Sequence, residues 1–140
     1  MRNADESGCP ICVRGFPKDT VAELSNSWLT AGHLAPLPGY ACVVAKRHVR
    51  EPFELPMPDR AAFWEDAMQA AQVLAGMFQP VKMNYEIHGN TIPHLHMHLY
   101  PRMPSDFGGP LPPKDACRRS PAELARIGNA VNAGRGRIDS

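Results

Sequence analysis

The spacing of apolar positions changes repeatedly along the chain, and each change marks an element. From Asp59 the repeat is three to four residues. Phe63, Ala67, Ala71, Leu74 and Phe78 fall on one side of an Ala-rich segment, which predicts a helix with Asp59 as its N-cap, ended by Pro80 and lying on a sheet. Tyr40-Ala41-Cys42-Val43-Val44-Ala45 predicts a strand that delivers Lys46, Arg47 and His48 at its end. Further strands are expected from Asn26 to Leu34, carrying Trp28, Leu29 and His33, and from Lys82 to His88. In His94-Leu95-His96-Met97-His98-Leu99-Tyr100 the alternation is strict. A period of two turns Leu95, Met97 and Leu99 toward a core and His94, His96 and His98 to the opposite face.

Gly89, Asn90 and Thr91 leave room only for a tight connection between the last two strands. They should therefore pair antiparallel, because a parallel pair needs a long crossover, and form the centre of the sheet. Arg50 to Pro58 is broken by prolines, and the chain after Arg102 is Gly- and Pro-rich loop. Ser120-Pro121-Ala122-Glu123 is a capping box with proline at the first helical position. It opens a short helix with Leu124, Ile127 and Val131 on one face, ended by Gly134 and Gly136 and followed by a frayed basic tail. The fold class is α+β.

Three alternating histidines call for a chemical explanation. Successive imidazoles on one strand face stand roughly 6–7 Å apart, from a rise of about 3.3 Å per residue, a spacing that suits a phosphate edge or a metal. Imidazole serves as base, nucleophile or ligand because a neutral ring keeps one nitrogen unprotonated.

Composition narrows the setting. The 140 residues suit one domain. A net charge of +1 with scattered Lys and Arg predicts no binding to long nucleic acid or to an anionic membrane. No apolar run approaches the ~20 residues of a membrane span, and Met1 to Glu6 lacks the apolar core of a signal peptide. A cytoplasmic location is therefore expected, in which four cysteines are thiols or metal ligands rather than disulfides.

His94 to Arg102 resembles the signature of the histidine triad (HIT) family of nucleotide hydrolases and transferases, His-x-His-x-His followed by apolar residues and often Pro-Arg. Val43 to His48 is similar to the family's strand ending in Pro-Lys-x-His. Asn84 and Gly89-Asn90-Thr91 fall where the family carries an Asn and a Gly-Gln-Ser/Thr element. The resemblance covers residues 9–102, after a flexible lead of residues 1–8; residues 103–140 would be loop, helix and tail of the same domain. It implies a five-stranded antiparallel sheet with one long and one C-terminal helix, usually paired into a homodimer. Here the dimer is expected through the helix bearing Phe63 and Trp64 and its neighbouring strand.

The resemblance also implies roles. His96 would be the nucleophile that attacks the α-phosphorus and forms a covalent nucleotidyl-histidine, which requires its other nitrogen to be protonated and held by an acceptor such as a backbone carbonyl. His98 would contact phosphate oxygens and assist the leaving group, with Asn84, Asn90 and Thr91 as further phosphate ligands. Substrates would be dinucleoside polyphosphates (Ap4A-like) or nucleotide phosphoramidates. Tyr40 stands where many members carry a triad-supporting histidine, and Gly32-His33 where many carry a ribose-binding acid. His33 and Trp28 could line an altered pocket, while Glu86 and His88 have no assigned place. Two other classes stay open: a binding module with little turnover, and a zinc enzyme in which all three histidines hold one catalytic ion.

Cys9-Pro10-Ile11-Cys12 is half of a zinc site, a redox dithiol or a pair of free thiols. A tetrahedral zinc needs two more ligands. His48 and His94, at the ends of strands, are the candidates, and the resemblance to zinc-containing bacterial-type members implies the same structural set of Cys9, Cys12, His48 and His94. Cys42 fits a core position, and Cys117 has no visible partner.

Overall fold

The computed structural model describes the backbone of residues 6–139 and the side chains of residues 6–134. A 3-10 turn over Glu6–Gly8 leads into a short helix α1 (Pro10–Arg14) and then β1 (Thr20–Glu23), β2 (Ser27–Thr30), β3 (Leu34–Ala35) and β4 (Ala41–Ala45). Helix α2 (Asp59–Phe78), β5 (Lys82–Ile87), β6 (His96–Arg102), β7 (Cys117–Arg118) and α3 (Pro121–Asp139) follow. The main sheet has the order β1-β2-β4-β6-β5, antiparallel throughout, and β3 and β7 form a separate two-stranded ribbon.

The sheet is five-stranded as the family resemblance implies, but its centre differs from the sequence expectation. β4 is central and β5 lies at the edge, paired only with β6. β1 and α1 carry no strong periodicity and were not expected; their residues find their partners across the fold.

One face of the sheet is closed by α2 and α3. Leu29, Val43, Met97 and Leu99 point into it and are at most 1 % exposed. Ala67, Ala70 and Ala71, all buried, let α2 approach the strands closely. Asp66, on the same helix, is 2 % exposed and accepts hydrogen bonds from Ser25 Oγ (2.9 Å), Asn26 N (2.8 Å) and Ser27 Oγ (2.7 Å). It thereby ties the β1–β2 turn to α2 and satisfies a carboxylate that would otherwise be costly to bury. The other face carries a smaller apolar patch of Ile11, Cys42, Val44, Trp28, Tyr40 and Ile92.

Four local expectations are corrected. Asp59 is the first residue of α2 rather than its cap; Pro58 holds the cap position and the Asp59 carboxylate takes a 2.9 Å bond from Arg47. β2 stops at Thr30, so His33 lies in an exposed loop. His94 precedes β6 instead of belonging to it. The C-terminal helix is 19 residues long and passes through Gly134 and Gly136. Gly128 and Gly134 are close-packing positions, since a Cβ on Gly128 would lie 2.3 Å from the Val21 carbonyl oxygen and one on Gly134 2.6 Å from Val73 Cγ2. The predicted capping box is present: Ser120 Oγ accepts from Glu123 N at 3.1 Å and Glu123 Oε2 from Ser120 N at 2.6 Å. The first five residues of the polar lead and the last residue of the basic tail lie outside the described residues.

Candidate functional site

The three histidines split into two sites. The segment before β6 is held by Leu95, whose N–H donates to Val49 O (2.8 Å) and whose carbonyl accepts from Ala45 N (3.0 Å). This attachment carries His94 out of the strand's alternation and buries it at 1 % exposure. His94 Nε2–H donates to Ala45 O at 2.6 Å. Its Nδ1 is therefore a bare lone pair, and it faces His48 Nδ1 (3.1 Å), Cys9 Sγ (3.5 Å) and Cys12 Sγ (3.7 Å). Cys12 Sγ also stands 3.2 Å from His48 Nδ1. All four donor atoms lie within 4.8 Å of one another, a set that could hold a metal ion. Helix α1 makes the chelate by presenting Cys9 at its N-cap and Cys12 one turn later. Burial and the neighbouring Cys9 push the Cys12 thiol up to about 11, and burial lowers the affinity of His94 for a proton. A bound cation reverses this penalty for the thiols by stabilising their thiolates.

His96 and His98 remain on the open face, with ring centroids 4.9 Å apart. His96 Nδ1–H donates to the carbonyl of His94 at 2.6 Å. The ring is thus locked in the tautomer whose Nε2 carries the lone pair. His98 Nδ1 lies 2.8 Å from Tyr40 Oη and 3.3 Å from Cys42 Sγ, and Tyr40 Oη is 3.0 Å from that sulfur. A thiol is a poor acceptor, so the arrangement that serves all three groups has Cys42 S–H donating to Tyr40 and Tyr40 O–H donating to His98 Nδ1. That leaves an N–H on His98 Nε2. Burial, with His96 and His88 nearby, lowers His98 to about 4, and burial raises Tyr40 and Cys42. The site thus pairs an imidazole whose Nε2 faces the open side with a neutral imidazole that offers a donor.

Two residues without an obvious sequence signal complete this surface. Arg119, 5 % exposed, donates to the carbonyls of Gly32 (2.9 and 2.7 Å), Pro38 (3.0 Å) and Tyr40 (2.7 Å). It pins the loop that presents Tyr40. His88 Nε2–H donates to Glu86 Oε1 at 2.7 Å, and the His88 ring stands 5.1 Å from that of His98.

The other sequence candidates fall as follows. Asn84 Oδ1 accepts from Arg102 at 2.9 Å, and Arg102 also holds Asp106 (2.5 Å) and the Gly109 carbonyl (2.8 Å). Asn84 thus braces the start of the loop after β6. Asn90 and Thr91 are exposed in the β5–β6 connection. Trp28 pairs across from Val44 in the apolar patch, with Lys46 Nζ 5.9 Å over its ring. His33 is exposed and contributes its carbonyl to Arg119 N (2.7 Å). Cys117 sits on the separate ribbon opposite Ala35.

Comparison with known proteins agrees with this geometry. The family model of the HIT domain matches residues 15–105. The chain belongs to the HIT family. Among solved structures, a Hit-like protein from Bartonella henselae, described as involved in cell-cycle regulation, superposes with a TM-score of 0.72 at 18% identity, covering 95% of this chain and 99% of that one. A histidine triad protein from Sinorhizobium meliloti gives 0.72 at 20% identity, covering 93% and 99%. A Zn-bound histidine triad family protein from Mycobacterium smegmatis gives 0.66 at 19% identity, covering 96% and 98%. At these identities the likeness is one of fold. Comparison with curated proteins returns no match. Among the described residues no helix of this HIT protein is long and apolar enough to cross a membrane.

Proposed function

We propose that this HIT protein is a nucleotidyl hydrolase that cleaves at an α-phosphorus through a covalent intermediate on His96. The single observation that carries the reading is the 2.6 Å bond from His96 Nδ1–H to the His94 carbonyl, which leaves Nε2 as a lone pair on the open face. In the first step His96 Nε2 forms a P–N bond as the bond from phosphorus to the leaving group breaks, and the leaving group departs with its electron pair. In the second, a water oxygen forms a P–O bond as the P–N bond to His96 breaks, one proton of the water passes to solvent, and the nucleoside monophosphate is released. His98 Nε2–H, with Asn90 and Thr91 on the exposed β5–β6 connection, donates to phosphate oxygens where charge builds. Beside them the partly buried Trp28 and Ile92, packed over the buried Ile11 and Val44, take the base. Dinucleoside polyphosphates and nucleotide phosphoramidates are the substrate classes.

The ion held by Cys9, Cys12, His48 and His94 is proposed to be a structural zinc. Tetrahedral zinc with bonds of about 2.0–2.1 Å to nitrogen and about 2.3 Å to sulfur requires ligand atoms about 3.3 Å apart for N–N and about 3.6 Å for N–S. The 3.1 Å N–N separation and three of the four N–S separations, 3.2 to 3.7 Å, fit that figure, and all four donor atoms lie within 4.8 Å of one another. With four protein ligands the site is closed, and the ion's part is to hold α1 and the His94 carbonyl in place. Among the described residues His94, His96 and His98 do not form a metal-binding cluster of their own, which counts against the three-histidine zinc enzyme.

A homodimer through β5 and α2 is proposed as well. β5 is an edge strand, Tyr85 and Ile87 on it are exposed, and beside them Met57 and Trp64 line a groove of about 470 Å³. Exposed backbone and apolar side chains together favour pairing; a monomeric mass in solution at micromolar concentration would reject it. Four free cysteines suit a reducing compartment such as the cytoplasm.

The experiment for the central reading is capture of the intermediate. Incubation with a dinucleoside polyphosphate or a phosphoramidate, quenched without acid, should give a nucleotidyl mass increment that maps to His96. Binding without turnover would instead mark a nucleotide-binding module.

A further inference from the structure

We infer that His88, oriented by Glu86, forms a subsite for the phosphate beyond the scissile bond, so that the site favours nucleotides whose leaving group is itself a phosphate. The inference rests on the nucleotide reading above and extends it to a residue pair outside the triad.

The position follows from strand register. Glu86 pairs with His98 and Ile87 with Met97, so residue 88 comes opposite His96 just past the end of β5. The side chain leans back over its own strand, because its Nε2–H is tied to Glu86 Oε1 at 2.7 Å and its ring meets His98 edge-on at 5.1 Å. Glu86, His88, His96 and His98 therefore share one patch along the β5–β6 seam. The side chains of His88 and Glu86 are 42% and 34% exposed, open to a ligand. Nδ1 of His88 has no partner among the described residues.

The chemistry of the two flanks sets the direction of the substrate. On the β2–β4 side of His96 the partly buried Trp28 and Ile92 lie over the buried Ile11 and Val44, an apolar place for a base. On the β5 side it carries His88 and Glu86. With the α-phosphorus at His96 and the base on the apolar side, the remaining part of the substrate extends over β5. With a phosphate bound, His88 donates Nε2–H to Glu86 and Nδ1–H to a phosphate oxygen, satisfying both anions with one ring. The bond to phosphate is charge-assisted and stronger than a neutral one. An alkylamine leaving group has no acceptor to offer at this place. The Glu86–His88 pair itself is exposed and adds little to stability, so His88 can be replaced without risk to the fold.

The test uses the full chain carrying His96→Asn, which cannot form the covalent intermediate, and measures binding of AMP and ADP, and of GMP and GDP, by calorimetric titration. The diphosphate is expected to bind about tenfold more tightly than the monophosphate, the scale of one charge-assisted hydrogen bond. Adding His88→Ala should bring that ratio to within about twofold. A ratio that His88→Ala leaves unchanged, or a diphosphate that binds no tighter than its monophosphate, overturns the inference. Wild-type protein that shows the His88-dependent preference but turns nothing over would fail as a hydrolase and keep this subsite. Turnover with a His88-independent ratio would do the reverse.

Discussion

Nδ1 of His94 stands 3.1 Å from Nδ1 of His48. Since His94 commits its only proton in the neutral form to Ala45 O, a lone pair of His94 is directed at a second imidazole and two sulfurs, an arrangement that a cation resolves.

Chelation is therefore expected to destabilise the protein. A preformed four-ligand site couples metal binding to folding, and verified removal of the metal should lower Tm by about 10 °C or more. Elemental analysis should find one zinc per chain, lost in Cys9→Ala/Cys12→Ala. An unchanged Tm after metal removal would reject the structural role. Retention of zinc without the cysteines would revive the three-histidine site.

Replacing His96 should eliminate the two-step route while leaving the phosphate contacts. His96→Ala and His96→Asn are expected to lower kcat by about 1000-fold or more with nucleotide binding retained. His96→Gly should recover part of its turnover with added imidazole. Near-normal kcat in His96→Ala, with fold and metal intact, would end the nucleophile assignment.

Tyr40→Phe removes the bond that holds the His98 proton on Nε2, at 2.8 Å in the wild type. The expected result is a fall in kcat of about tenfold with a smaller change in KM, because the donor matters most where charge builds in the transition state. The stability cost should stay near 1 kcal/mol, the usual net value of one hydrogen bond. An unaltered kcat would show that His98 needs no such support.

Acid stability carries a signature of His98. Its folded value is lowered from 6.5 to about 4, so between those values the unfolded chain binds more protons than the folded one and stability falls as pH falls. The contribution is complete above pH 6.5 and gone below about pH 4. Denaturant titrations across that window should show a steeper loss for wild type than for His98→Asn. Equal slopes would remove His98 from the acid response.

Much of this molecule follows from short-range pattern. The run from Phe63 to Leu74 packs as a helical stripe, Leu95, Met97 and Leu99 are buried by their period of two, and Ser120 and Glu123 cap α3 reciprocally. These are legible because periodicity and capping act within a few residues. Antiparallel pairing of β5 with β6 is legible for the same reason, the connection being too short for anything else. The four residues of the candidate metal site could be named from motif and family resemblance, though their distances could not.

The rest depends on contacts far apart in the chain. Alternation places His94 with His96 and His98, but the bonds of Leu95 to Val49 and Ala45 lift it out of the strand and turn it to the cysteines. Nothing near Tyr40 in sequence announces that Arg119, 79 residues away, holds its carbonyl, or that its hydroxyl meets His98 58 residues on. β5 lies at the edge because β4, an apolar run buried at every position, takes the centre. Local spacing assigns each residue a face; which faces meet is settled by the packing of the whole sheet against its helices, where the apolar area is buried and the polar groups find partners.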